Sequence, residues 1–511
     1  MTKKKQELSR GAGVLMPISA LPSPYGIGTL GRESYRFADF LEEIDGTYWQ
    51  ILPVGPTSFG DSPYQCYSAF AGNPYFIDLD ILVEEGLLKK EEITGHPWLK
   101  EEDTIAYERI NWYRFPILEK AFQRSSHRTT KEFEEFCQSN AYWLEDYALY
   151  MAVKNYYYNR HWHQWDEDIR LRRKEAIDTY TAKLAEKIEL WKFIQYKFYE
   201  QWNQLKSYVN KKGIKIIGDI PLYIAEDSSD VWVHSDLFEL DERKNPTHVA
   251  GVPPDLFSES GQRWGNPLYR WDAMEQTDFT WWRERMKASA KLYDVIRIDH
   301  FIGIVNYYSI PVECPTASVG RWRKGPGKKL TDAIAESVGD TKIIAEDLGS
   351  VTPKVRKLME QMGYPGMKVL EFGLEGPEDN EYLPHNFKDT NVVAYTGTHD
   401  NETLVGFLRS RLETNLEFAY RYFHVKSREE LPYAIIRALY ASIADVVIVP
   451  MQDLLELDNR ARMNYPSTIS GNWKWRMKKS QYAELNIDRL KEFAFLYARA
   501  TEAAHGQGMK A

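Results

Sequence analysis

Three carboxylates stand where an apolar, β-branched run gives way to polar residues: Asp299 in DVIRIDHF, Glu346 in KIIAEDLG and Asp400 in NVVAYTGTHDNET. An acid, a nucleophile and a third carboxylate around one centre can cleave a glycosidic bond through an oxocarbenium-like transition state. Arg297 lies two residues before Asp299, and on a strand i and i+2 face the same side. Its guanidinium is expected to lower the pKa of Asp299 and keep it ionised, as a nucleophile requires. The apolar approach to Glu346 is expected to raise its pKa, which suits a general acid. Asp347 carries the same chemistry, but alternation puts the two on opposite faces, so only one of them points inward. His399 and Asp400 form a pair able to hydrogen-bond adjacent sugar hydroxyls. Asp219, in IIGDIPLYI, adds a fourth acid at a strand end, placed to hold Arg297 or the nucleophile.

Eight runs read as buried strands: GVLMPIS, TYWQILPV, IKIIGDIPLYI, YDVIRIDHFIGI, TKIIAEDLG, GMKVLEFG, TNVVAYTGTHD and ADVVIVPMQDLL. Amphipathic helical patterns such as SYRFADFLEEI, TWWRERMKASAKLY, KVRKLMEQM and ELPYAIIRALYAS fall between most of them. Near-continuous apolar strands alternating with helices predict a parallel sheet, and eight predict an α/β fold closed as a (β/α)8 TIM barrel. Catalytic residues collect at the C-terminal strand ends of such a barrel, where the three carboxylates fall. The chain is expected to be one catalytic barrel over 1–511. A charged, aromatic, helix-patterned subdomain is inserted from Glu84 to Gly213. A loop-rich insertion runs from Ile224 to Asp278, and no separate C-terminal domain follows.

A net charge of −9 provides no basic surplus for a nucleic-acid partner. Three cysteines in 511 residues are no disulfide framework and fit a reducing compartment. The start MTKKKQELSRGAG lacks an apolar stretch of the secretory kind, and no run of about 18 apolar residues appears, so the expected location is the cytoplasm, away from membranes. The 16 Trp, 33 Tyr and 22 Phe are either core or flat platforms for a sugar. Two loops look like ligand surface. GDSPYQCYSAFAGNPYF carries Tyr64, and GVPPDLFSESGQRWGNPLY carries Asp255, Phe257 and Trp264. His161 and His163 could ligate a metal, but no further Cys/His cluster completes a set. No glycine-rich phosphate cradle or nucleophile elbow appears.

In series, SPYQxxSAFAGNPY, GDIPLY, GVPPDxFSxxGQxWGNPLY, RIDHF, TAxxGRWxKGPG, AEDLG, TGTHDN and RMNYP follow the order found in glycoside hydrolase family 77, the 4-α-glucanotransferases. The chain resembles that family over nearly its whole length. The resemblance implies a (β/α)8 barrel with insertions and no C-terminal β-domain. It implies Asp299 as nucleophile, Glu346 as acid/base and Asp400 as transition-state stabiliser, with Arg297, His300, His399 and Asp219 around them. Tyr64, Asp255 and Trp264 would lie in glucan-binding loops, and Asn464 in a late loop near the site. The implied activity passes a covalently held segment of an α-1,4-glucan to the 4-hydroxyl of another sugar, with neither metal nor organic cofactor. The alternatives are a hydrolase of the same barrel class and a catalytically silent glucan-binding protein. The sequence departs from many members at Ile302, where they have Arg, and at Trp165-Asp166, where they have Trp-Pro.

Overall fold

A computed structural model describes residues 7–58, 60–254, 258–468 and 470–500. Its strands are β1 (Gly11–Leu15), β2 (Tyr48–Gln50), β3 (Lys215–Ile220), β4 (His248–Val252), β5 (Gln262–Pro267), β6 (Val295–Ile298), β7 (Asn306–Pro311), β8 (Arg321–Lys324), β9 (Lys342–Ala345), β10 (Gly366–Val369), β11 (Val392–Tyr395) and β12 (Val446–Pro450). Eight of them, in the order β10-β11-β12-β1-β2-β3-β6-β9, make one parallel sheet. The Ala345 amide donates to the Pro365 carbonyl at 2.9 Å, bridging β9 to the start of β10 and bringing the ends of the sheet together. The eight runs read as strands are these eight.

Both faces of the sheet are covered, which is why its strands are apolar almost without interruption. The exceptions mark the mouth. Asp219 on β3 sits opposite Arg297 on β6 in the strand register, and both are buried. Gly218, just before Asp219, allows close packing: a Cβ there would lie 2.2 Å from the Tyr293 ring.

Between β2 and β3 the chain is mainly helical, with long helices at Tyr107–Arg124, Lys131–Tyr156 and Ala185–Lys211. The last of these anchors the loop that follows β2. Gln195 exchanges two hydrogen bonds with the backbone of Gly72 (2.8 and 3.0 Å), and Gln201 does the same with Asp78 (2.7 and 3.2 Å). At Asp166 the backbone N–H donates to the Tyr157 hydroxyl at 3.4 Å, a bond proline could not make.

The segment expected to be loop-rich, from Ile224 to Asp278, holds more regular structure than its Gly and Pro content suggests. It contributes β4 and β5 to a four-stranded antiparallel sheet, β5-β4-β7-β8, whose other strands follow β6. Sequence alternation does not show this because Gly251, Gly265 and Pro267 interrupt the two strands, and the sheet is completed by β7 from beyond β6. Most tryptophans are core: Trp49, Trp162, Trp202, Trp232 and Trp282 are fully buried. No described helix is long and apolar enough to cross a membrane.

Candidate active site

The chain leaves β6 through Asp299 and turns at His300, whose φ of 52° lies in the left-handed region. That turn aims the His300 amide at Glu346, donating to Oε2 at 2.7 Å, while the Leu348 amide donates to Oε1 at 2.7 Å. Glu346, at the end of β9, is thereby held one residue from Asp299. Asp347 faces away: its Oδ1 accepts from the Met367 amide at 2.7 Å, so it ties β9 to β10. The two neighbouring acids take separate jobs, as strand alternation requires.

One Nη1 of Arg297 serves two carboxylates, Asp219 at 2.6 Å and Asp299 at 3.2 Å. The side chain of Asp219 is 0% exposed and that of Asp299 is 28% exposed, so Asp299 is the one open to the mouth. Arg297 lowers the pKa of Asp299 as expected, but the expected net result, a carboxylate kept below its ordinary value, is overturned. Burial pushes Asp299 up; Arg297 opposes this, while Asp219, Glu346 and Asp400 add to it. The guanidinium does not prevail because loss of solvent outweighs it, and its shorter contact is to Asp219. Burial also pushes Glu346 up to about 7, against Arg297 and the two amide bonds.

Tyr64 reaches in from the loop after β2. Its hydroxyl donates to Asp219 Oδ2 at 2.7 Å, and its ring stacks on His399, with centroids 5.1 Å apart. Burial raises the Tyr64 phenol, so it stays a donor. Burial also lowers His399, and brings His300 down to about 4, leaving both rings neutral at pH 7. Asp400 accepts from Asn464 Nδ2 at 2.7 Å, with His399 Nε2 at 3.4 Å. Trp264, expected in a loop, stands in β5. Its indole meets His300 edge-on at 4.8 Å and donates to Gln262 Oε1 at 3.1 Å. Asp255 and Phe257 lie outside the described residues. Ile302 is buried beyond His300. The His161/His163 pair is not brought to the site: His163 Nδ1 faces Asn245 at 3.1 Å. Among the described residues no three His, Cys, Asp or Glu side chains are grouped as a metal ion would need.

Several contributors escaped the sequence reading. Arg462 donates to the Asp400 carbonyl at 2.7 Å and to the Asn464 carbonyl at 2.8 Å, joining the loops after β11 and β12. In the sequence it precedes Met463 in RMNYP with nothing local to mark the contact. Trp473 packs against both Tyr64 and His399, at 5.7 and 5.8 Å. Met367 accepts from Arg297 Nε through its sulfur at 3.3 Å. A thioether inside a strand gives no signal of such a contact.

The family model for glycoside hydrolase family 77, described as 4-alpha-glucanotransferase, matches residues 16–482. The chain is 46% identical to a 4-alpha-glucanotransferase of Streptococcus pneumoniae over 96% of this chain and 98% of that one. It is also 44% identical to one from Thermus thermophilus, over 96% and 99%. The solved amylomaltase from Streptococcus agalactiae, in complex with acarbose, superposes with a TM-score of 0.93 at 42% identity, covering 96% of this chain and 100% of that one. With a family model spanning the barrel and relatives matching from end to end, the chain belongs to glycoside hydrolase family 77, the 4-alpha-glucanotransferases.

Proposed function

We propose that this site transfers segments of α-1,4-glucan by a retaining double displacement, with Asp299 as nucleophile, Glu346 as acid/base and Asp400 as stabiliser of the transition state. The observation that carries the reading is Glu346. It is a buried carboxyl pushed up to about 7 and fixed by the amide of the residue next to Asp299. Two carboxylates that titrate together share protons as a pair. We place the first proton on Glu346, because Asp299 touches the guanidinium and Glu346 is bonded to backbone amides instead.

In the first step an Asp299 oxygen bonds to the anomeric carbon as the C1–O4 bond breaks, and Glu346 gives its proton to the departing O4. In the second, Glu346 takes the proton from an acceptor 4-hydroxyl. That oxygen bonds to C1, the ester to Asp299 breaks, and configuration is retained. Asp400 and His399 would bond hydroxyls of the sugar as its ring flattens. Tyr64 and Asp219 would hold Arg297, and Trp264 offers an indole face to a neighbouring pyranose. The partners are maltodextrins and other α-1,4-glucans. The three cysteines are free, consistent with a reducing cytoplasm.

Product analysis on maltotriose tests this. Transfer gives glucose plus a ladder of longer maltodextrins; a hydrolase gives only shorter products, and that outcome would sink the reading. A second expected result concerns water exclusion. Trp264→Ala removes an aromatic face beside His300 without touching proton chemistry, so free reducing ends should rise several-fold relative to transfer products while the glycosyl-enzyme still forms. An unchanged ratio with unchanged affinity would assign Trp264 to the packing of β5 alone.

A further inference from the structure

The loop from Thr396 to Thr403 presents His399 and Asp400, and its two feet are fixed by one side chain. Asp453, buried just after β12, accepts from the Thr396 hydroxyl through Oδ2 at 2.6 Å and from the Leu404 amide through Oδ1 at 2.7 Å. The middle of the loop is held on one side by Arg462 and Asn464, which bond the carbonyl and carboxylate of Asp400, and on the other side by a second set of bonds.

There the structure points to Glu371, which no sequence motif singled out. We propose that Glu371 is a positioning residue for the reaction, setting where Asp400 stands by bonding Asn401. This inference rests on the reading of Asp400 given above. Glu371 follows β10, is 8% exposed, and its backbone amide donates to the Thr396 carbonyl at 3.1 Å. Its Oε1 accepts from Asn401 Nδ2 at 3.0 Å. Asn401 Oδ1 in turn accepts from the amide and the hydroxyl of Thr398, both at 2.9 Å. The Thr398 hydroxyl accepts from the Asp400 amide at 3.2 Å. The relay therefore runs from strand end to Asn401, to Thr398, to the backbone of Asp400. Gly397 makes room for it: a Cβ there would lie 3.2 Å from Asn401 Cβ and 3.5 Å from Glu371 Oε2.

Glu371 Oε2 is buried with no partner, which an ionised carboxylate would tolerate poorly. Burial pushes Glu371 up to about 8; Asp453 and Glu402 add to this, while Asn401 and Arg462 oppose it. A neutral acid accepting one hydrogen bond can be copied by glutamine, and that makes the role testable. Asp400 is 46% exposed at its side chain, so the relay ends on a group that still faces the mouth.

The test measures kcat and KM for maltotriose disproportionation, together with thermal unfolding, in four variants. E371Q keeps the acceptor and should stay within about threefold of wild-type kcat. E371L removes it and should lower kcat roughly 30-fold with KM within about twofold, because a misplaced group of this kind costs rate rather than affinity. N401D, assayed above pH 8 so that Glu371 is ionised, keeps the Thr398 cap but sets a second carboxylate against Glu371, and should lose about tenfold relative to wild type at the same pH. Adding E371Q to N401D lets the glutamine amide donate to the new carboxylate and should recover most of that loss. A merely structural role would move the unfolding temperature without this reciprocal recovery. An E371L enzyme of wild-type kcat, or an N401D loss that E371Q leaves uncorrected, would overturn the proposal. If E371L does not fold, the N401D pair still decides. These are ratios to wild type, so their failure is separate from failure of the wild-type ladder on maltotriose.

Discussion

Asp299→Ala lowers kcat for glucan transfer by roughly 10⁴-fold or more while the protein stays folded, because no covalent intermediate can form without that carboxylate. On the barrier this is about 5.5 kcal/mol. Folding should survive because the side chain is 28% exposed and Arg297 keeps its shorter bond to Asp219. The check is single-turnover trapping of a glycosyl-enzyme by mass spectrometry, alongside kcat on maltotriose. A variant that still accumulates an adduct would show that another carboxylate attacks, and Asp219, wholly buried behind Arg297, is badly placed to do so.

Glu346→Gln carries the second large effect. The amide fills the same space but cannot protonate the departing O4, so transfer from maltodextrin should fall by about 10²–10⁴-fold. A maltosyl fluoride, whose leaving group needs no proton, should form the glycosyl-enzyme at close to the wild-type rate. If fluoride and maltodextrin fail alike, the acid assignment is wrong. Asp347 is a poor substitute, since its carboxylate is spent on the Met367 amide. The sign of the pH dependence follows from the same group. Glu346 is raised to about 7, so the protonated acid is present below that value and is lost as pH rises through it. The kcat for maltodextrin should therefore fall on the alkaline side of pH 7, and that limb should be absent for the fluoride donor.

Much of the fold was legible because a parallel barrel leaves a strong local mark. Strands covered on both faces must be apolar almost throughout, so IKIIGDI, VIRI, KIIA and VVIVP stand out without any knowledge of their partners. The polar residues that end those runs stand out as well, which is why Asp219, Arg297, Asp299, Glu346 and Asp400 were found together. The β5-β4-β7-β8 sheet is not legible locally because its two short-range pairs, β4-β5 and β7-β8, become one sheet only when β4 meets β7, about 60 residues on. Trp264 reads as loop because Gly261 and Gly265 stand on either side of it, although its strand pairs locally with β4.

The sequence by itself determined which carboxylates reach the mouth, since strand alternation and strand ends are local properties. Strand alternation also foretold that Glu346 and Asp347 part company. Only the tertiary structure decided how those charges are shared. Arg297 stands two residues from Asp299 in the chain, yet its closer bond crosses to Asp219 on the neighbouring strand, because a barrel sets side chains of adjacent strands at the same height. The same is true of Arg462, Trp473 and Glu371, which act on a loop far from them in sequence. Long-range hydrogen bonds and the dielectric of a closed interior arise only when the strands meet, and they set which acid holds the proton.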